Sequence, residues 1–111
     1  MEITSRNEND VVVAALSGRM DAVSAPQFDA WLAERLQAGH QKFVLDMSGL
    51  EYISSAGLRS LLAAAKQLKA VGGSVVLSSI SGTVEEVFRM SGFLAIFKVS
   101  ASTSEALETF A

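Results

Sequence analysis

Apolar residues recur along this chain with two different periods, and the switches between them mark out the elements. Val11 to Leu16 is an unbroken apolar run of six residues, four of them valine or leucine; a run of that length between polar turns predicts a strand. Glu2 to Arg6 offers a shorter strand before it, and Asn7-Glu8-Asn9-Asp10 supplies the turn chemistry that would make the pair an antiparallel hairpin. Beyond Gly18-Arg19-Met20-Asp21 the period changes. Phe28, Trp31, Leu32, Arg35 and Leu36 return at helical spacing, and Gly39 is placed to end the helix. At its start, Ser24 and Gln27 have capping-box spacing and Val23 and Phe28 that of a hydrophobic staple. Pro26 falls in the first turn, whose N–H groups have no intrahelical acceptor.

Lys42 to Met47 predicts a buried strand, and Ser48 to Ile53 a loop leading to a second helix with Leu58, Leu61, Leu62, Ala65 and Leu68 on one stripe. Gly72-Gly73 stops that helix and Ser74 to Ser79 forms the next strand. Thr83 and Glu86 cap a short helix through Met90, Gly92 ends it, Ala95 to Val99 is a last strand, and Ser102 with Glu105 caps a final helix ending near Phe110. Strand-helix-strand units of this length imply right-handed crossovers between parallel strands. The expected fold is α/β: a mixed, mostly parallel sheet with an N-terminal antiparallel hairpin at its edge and four helices. One layer of helices is expected, with the face taken by each helix left open.

Composition narrows the chemistry. The 111 residues carry 9 Lys and Arg against 12 Asp and Glu, a net charge of −3, and are 50% hydrophobic, which fits one globular domain over residues 1–111. With no cysteine and His40 as the lone histidine, disulfides, thiol chemistry, iron–sulfur clusters and ordinary zinc sites are excluded. A hydrolase triad would rest on His40 alone, which has no serine or carboxylate beside it and reads as an exposed loop residue. The six-residue apolar run falls far short of the roughly 18 residues of a membrane span, and MEITSRNEND has no basic start followed by an apolar stretch. The expectation is a cytoplasmic protein without membrane insertion. Scattered cations and a pI near 5 argue against nucleic acid. No glycine-rich phosphate loop is present, and no cofactor is expected.

In an open α/β sheet, function collects beyond the carboxyl ends of the strands. There the segment after Met47 places paired hydroxyls, Ser54 and Ser55, before the small residues Ala56 and Gly57 at a helix start. Either serine could be the N-cap, with Ile53 stapled to Leu58. Exposed first-turn N–H groups would also stabilise a phosphate on one of them. Asp46 could serve as a phosphoacceptor, as in a response-regulator receiver, but the acidic pair that holds magnesium there is missing after the first parallel strand, where Asp21 stands alone. Asp46 reads better as a carboxylate organising the loop that follows it, and Asp21 as an acceptor for its own turn or part of a polar patch near the second helix. Phe28 and Trp31 share a stripe with Leu32 and read as core.

The segment Leu45-Asp46-Met47-Ser48-Gly49-Leu50-Glu51-Tyr52-Ile53-Ser54-Ser55-Ala56-Gly57-Leu58-Arg59-Ser60-Leu61-Leu62, with Gly18-Arg19-Met20-Asp21 upstream and Gly72-Gly73 downstream, resembles the STAS family of sulfate transporters and anti-sigma factor antagonists. The resemblance extends over essentially the whole chain and is to the stand-alone antagonist branch. It implies a partner switch without catalytic power. The unphosphorylated antagonist binds a serine-kinase anti-sigma factor, the kinase phosphorylates it, and a PP2C-type phosphatase restores it. The family's phosphoserine, in an aspartate-serine-serine-glycine stretch, corresponds to Ser55, with Ser54 the less favoured acceptor. Asp21, Asp46, Ser54, Ser55, Ala56, Gly57, Leu58 and Arg59 would then form the partner-binding surface, with the two aspartates close to Ser55. Ser54 stands where the family's aspartate does, a departure that bears on kinase recognition. The alternative is a cytoplasmic accessory subunit of an ABC-type lipid transporter, which would need no phosphoacceptor.

Overall fold

A computed structural model describes residues 1–111. Its sheet runs β1 (Glu2–Glu8), β2 (Val11–Met20), β3 (Lys42–Ile53), β4 (Ser74–Ser78) and β5 (Lys98–Ser100), in that spatial order. Only β1 and β2 pair antiparallel; the other three pairs are parallel. The expected α/β architecture is therefore present. The hairpin is tighter than its four polar residues suggested: Glu8 pairs with Val11, leaving Asn9-Asp10 as the turn, with Asn9 at φ 56°, a left-handed conformation that Asn tolerates.

The crossovers pass through α1 (Ala25–Gln37), α2 (Ser55–Ala70) and α3 (Gly82–Ser91), followed by a single turn, α4 (Phe93–Ile96), and, after β5, by α5 (Thr103–Glu108). Right-handed crossovers between strands laid down in consecutive order must put their helices on one face. Accordingly Phe28 and Leu32 of α1, Leu61 and Leu68 of α2, and Phe88 of α3 share one core with Val12, Leu16, Phe43, Leu45 and Met47 of the sheet. α5 is not a crossover and obeys no such constraint. It covers the opposite face, where buried Ala106 packs with Val11, Val13, Val44 and Val76, flanked by Leu107 and Phe110. A single helical layer is thus corrected to three crossover helices on one side and α5 on the other. The unbroken apolar run of β2 follows from this, since both of its faces are covered.

Two other expectations change. Ala95 and Ile96 belong to α4 and not to the last strand, because the rings of Phe93 and Phe97 lie 6.0 and 6.2 Å from Phe88 and draw the segment into a turn before β5 begins. Thr83 lies inside α3, whose N-cap position is Ser81, so the capping box with Glu86 does not form. The box at Ser102 keeps its first half: the Ser102 hydroxyl accepts the Glu105 N–H at 3.1 Å. α2 ends as its glycines predict, with Gly72 at φ 77° and the N–H groups of Gly72 and Gly73 returning to the carbonyls of Lys69 and Leu68.

Candidate partner-binding site at the start of the second helix

The site begins with two strands that run further than their sequence suggests. Ser48 to Ile53 is strand and not loop: β3 stays paired with β2 as far as Met20 and Ile53. Between Ala15 and Ser17, and again between Gly18 and Arg19, β3 contributes one residue more than β2. These bulges place Met47, Leu50 and Ile53, three residues apart, all in the core. Period three is neither the strand nor the helix signature, which is why the segment reads as irregular.

The joined strand ends hold α2. The Ser54 N–H donates to the Met20 carbonyl at 2.9 Å, and Ser54, extended at ψ 175°, accepts the Gly57 N–H on its hydroxyl at 3.2 Å. Ser54 is therefore the N-cap, which closes the alternative left open by sequence. Ile53 is buried and Leu58 packs against the same core cluster, as a hydrophobic staple requires. At Gly57 a Cβ would stand 2.7 Å from Ile53 Cγ1 and 2.8 Å from the Met20 carbonyl oxygen, so the helix approaches the sheet at a distance that only glycine permits.

Ser55 is the first helical residue, exposed, and its hydroxyl makes no hydrogen bond within the chain. It is adjacent to the N–H groups that precede the first intrahelical bond, Leu58 N–H to Ser54 O. Ala56 and Leu58 are half-buried, Gly57 is buried, and Arg59 is exposed one turn further on.

Asp21 organises the turn between β2 and α1. Its Oδ1 accepts the N–H groups of Val23 and Ser24, each at 3.1 Å. Those bonds, the one from Ser24 N–H foremost, hold its carboxyl below the ordinary range against a smaller opposing effect of burial; the Ser24 hydroxyl, the Val23 N–H and Arg19 assist. Ser24 donates its hydroxyl to the Arg19 carbonyl at 2.8 Å and accepts the Asp21 N–H at 2.9 Å, so it is spent inside the turn and makes no side-chain cap for α1. The predicted capping box is absent for that reason. The predicted staple is absent too, since Val23 is 89% exposed.

Asp46 lies upstream on β3, opposite Ser78 of β4 and alternating with Val44 onto the face that carries α5. It accepts the Ser48 N–H at 3.0 Å, so it orders the chain that follows it, and no side-chain hydrogen bond joins Asp46 or Asp21 to Ser54 or Ser55. Phe28 is buried in the core as expected, whereas Trp31 is only half-buried, packed against that core and edge-on to Phe43 at 5.9 Å; His40, expected to be exposed, is half-buried just beyond the end of α1.

Two features escape the sequence pattern. Arg19 lies 4.1 Å over the ring of Tyr52 and 4.0 Å from Asp21, a stack visible only once β2 and β3 are known to pair there. A shallow groove of about 480 Å³ runs between α1 and α2 beside Ser55, bordered by Ala22, Ala25, Asp29, Ala56, Arg59 and Ser60. Its sequence signal is the alanine on both helices, which helix propensity explains equally well. No cluster of three His, Cys, Asp or Glu side chains is arranged as a metal site, and no helix is long and apolar enough to cross a membrane.

The family model of the STAS domain matches residues 2–106, a span that includes both strand ends and all of α2. The chain belongs to the STAS domain family. It is similar to BtrV of Bordetella bronchiseptica, a protein named as a candidate anti-sigma factor antagonist. The two are 42% identical over 110 residues, which is 99% of this chain and 95% of that one. It is 27% identical over 103 residues to the anti-sigma-B factor antagonist of Bacillus subtilis, covering 93% of each chain. Among solved structures, a candidate antagonist from Thermotoga maritima superposes with a TM-score of 0.91 at 27% identity, over 96% of this chain and 92% of that one.

Proposed function

We propose that this STAS domain is an anti-sigma factor antagonist that switches partners through Ser55. Unphosphorylated, the surface around the start of α2 binds a serine-kinase anti-sigma factor and thereby frees the sigma factor. The kinase then transfers the γ-phosphoryl group of ATP to Ser55: the Oγ–P bond forms as the β–γ bridging bond breaks, the hydroxyl proton leaves, and ADP departs. A PP2C-type phosphatase hydrolyses the phosphoester and restores the binding form.

The observation that carries this reading is the division of labour between the two serines. Ser54 is committed to the cap, whereas the Ser55 hydroxyl is exposed and unbonded at the first position of a helix. A phosphate there adds roughly −1.5 to −2 charges beside free N–H donors and the positive end of the helix, so α2 tolerates it. A partner surface fitted to a neutral hydroxyl does not, since an uncompensated charge buried in an interface costs several kcal/mol. Similarity to relatives named as antagonists supports the same reading.

Incubation with the partner kinase and ATP, followed by intact-mass measurement and peptide mapping, is expected to find one phosphate, on Ser55. Ser55→Ala should bind the kinase and resist labelling, while Ser55→Asp should bind at least about tenfold more weakly, some 1.4 kcal/mol. Label on another residue, or loss of binding in a folded Ser55→Ala, would refute the assignment. A chain that instead co-purifies with a permease and its ATPase would be the transporter subunit.

A further inference from the structure

We infer that a phosphoryl group on Ser55 is captured by Arg59 of the same helix, so that modification both adds a dianion and withdraws a guanidinium from the groove between α1 and α2. The inference rests on Ser55 being the phosphoacceptor. Of the five arginines, Arg6, Arg19, Arg35 and Arg89 each pair with a carboxylate, and Arg19 and Arg35 also lie over aromatic rings. Arg59 has neither kind of partner. Asp29 borders the same groove but makes no ion pair with it.

Position does the rest. Four residues apart on a helix, Ser55 and Arg59 share a face with Cβ atoms about 5–6 Å apart, and an acid preceding a base is the favoured order. Helical side chains lean toward the N-terminus, which puts the turn that Ser55 begins within reach of the Arg59 guanidinium. α2 has no acidic residue in its first turn, unlike α3 with Glu85 and α5 with Glu105. A cation near the positive end of a helix is disfavoured unless an anion accompanies it. The unmodified helix lacks that anion, and phospho-Ser55 supplies it. The groove, bordered by Asp29 and a free Arg59 before modification, then presents negative charge alone.

The test uses the full chain with phosphoserine installed at position 55 during translation, so that no kinase is needed, and follows the ³¹P resonance through a pH titration. An ordinary phosphoserine loses its second proton near pH 6. At low salt, the unsubstituted chain is expected to lose it roughly 0.3–0.5 pH units lower than Arg59→Gln does, with Arg59→Lys between them, and the gap should close in about 0.5 M salt. Arg59 is exposed, so the variants should fold, which circular dichroism checks. Coincident titrations of the unsubstituted chain and Arg59→Gln would overturn capture while leaving Ser55 as phosphoacceptor. Kinase labelling at another residue would overturn the switch while leaving the charge pair measurable.

Discussion

Two residues near the site act through backbone atoms, and each makes a prediction of its own. Asp21 is tied to the N–H groups of its turn, and its carboxyl is held below the ordinary value of about 3.9. A carboxyl depressed by folding adds stability that is complete above its unfolded value and is lost as pH falls through its folded one. The stability gap between the unsubstituted chain and Asp21→Asn should therefore be constant above about pH 5 and shrink below pH 4, as read from urea midpoints across that range. Gly57 works by having no side chain. A Cβ there meets the Met20 carbonyl, which is fixed by its bond from Ser54 N–H and cannot give way. Gly57→Ala should lose about 1–3 kcal/mol although alanine is the better helix former, with the urea midpoint falling at an unchanged slope.

The cap and the phosphoacceptor of α2 are adjacent serines, and their substitutions should part cleanly. Ser54→Ala removes the acceptor of the Gly57 N–H and should cost about 1 kcal/mol, whereas Ser55→Ala removes no hydrogen bond and should stay within about 0.5 kcal/mol. Chemical denaturation of both variants checks the contrast; equal losses would mean that Ser55 shares the capping. The pattern of residues located this helix, its leucine stripe and its glycine stop, because those signals are local. It could not choose the cap, since both serines fit the spacing and the decision rests on the Met20 carbonyl 34 positions upstream. It likewise missed the end of β3, where bulges opposite β2 turn a strand's alternation into Met47, Leu50, Ile53. At Ser24 the capping spacing was present but Asp21 and the Arg19 carbonyl held the hydroxyl. Each of these outcomes was decided by a partner outside the window in which the pattern is read.

The sheet as an entity separates two jobs. Its front carries the three crossover helices, with Ser55 at the start of one of them, and its back carries only α5 over Val11, Val13, Val44 and Val76. Crossover handedness dictates the front, but α5 follows the last strand and its side is settled by which valines remain uncovered, so sequence left it open. Enlarging a residue beneath α5 should therefore lower stability without altering the switch. Ala106 is fully buried against those valines, and Ala106→Leu adds three heavy atoms where there is no space, for a loss of about 1–3 kcal/mol and a melting point lower by roughly 5–15 °C. Assayed well below that melting point, the variant should accept phosphate at Ser55, and bind the kinase, within about twofold of the unsubstituted chain, because additivity holds for sites with no shared contacts. A folded Ala106→Leu protein that had lost labelling would mean that the back of the sheet is coupled to the start of α2, and that α5 takes part in the switch.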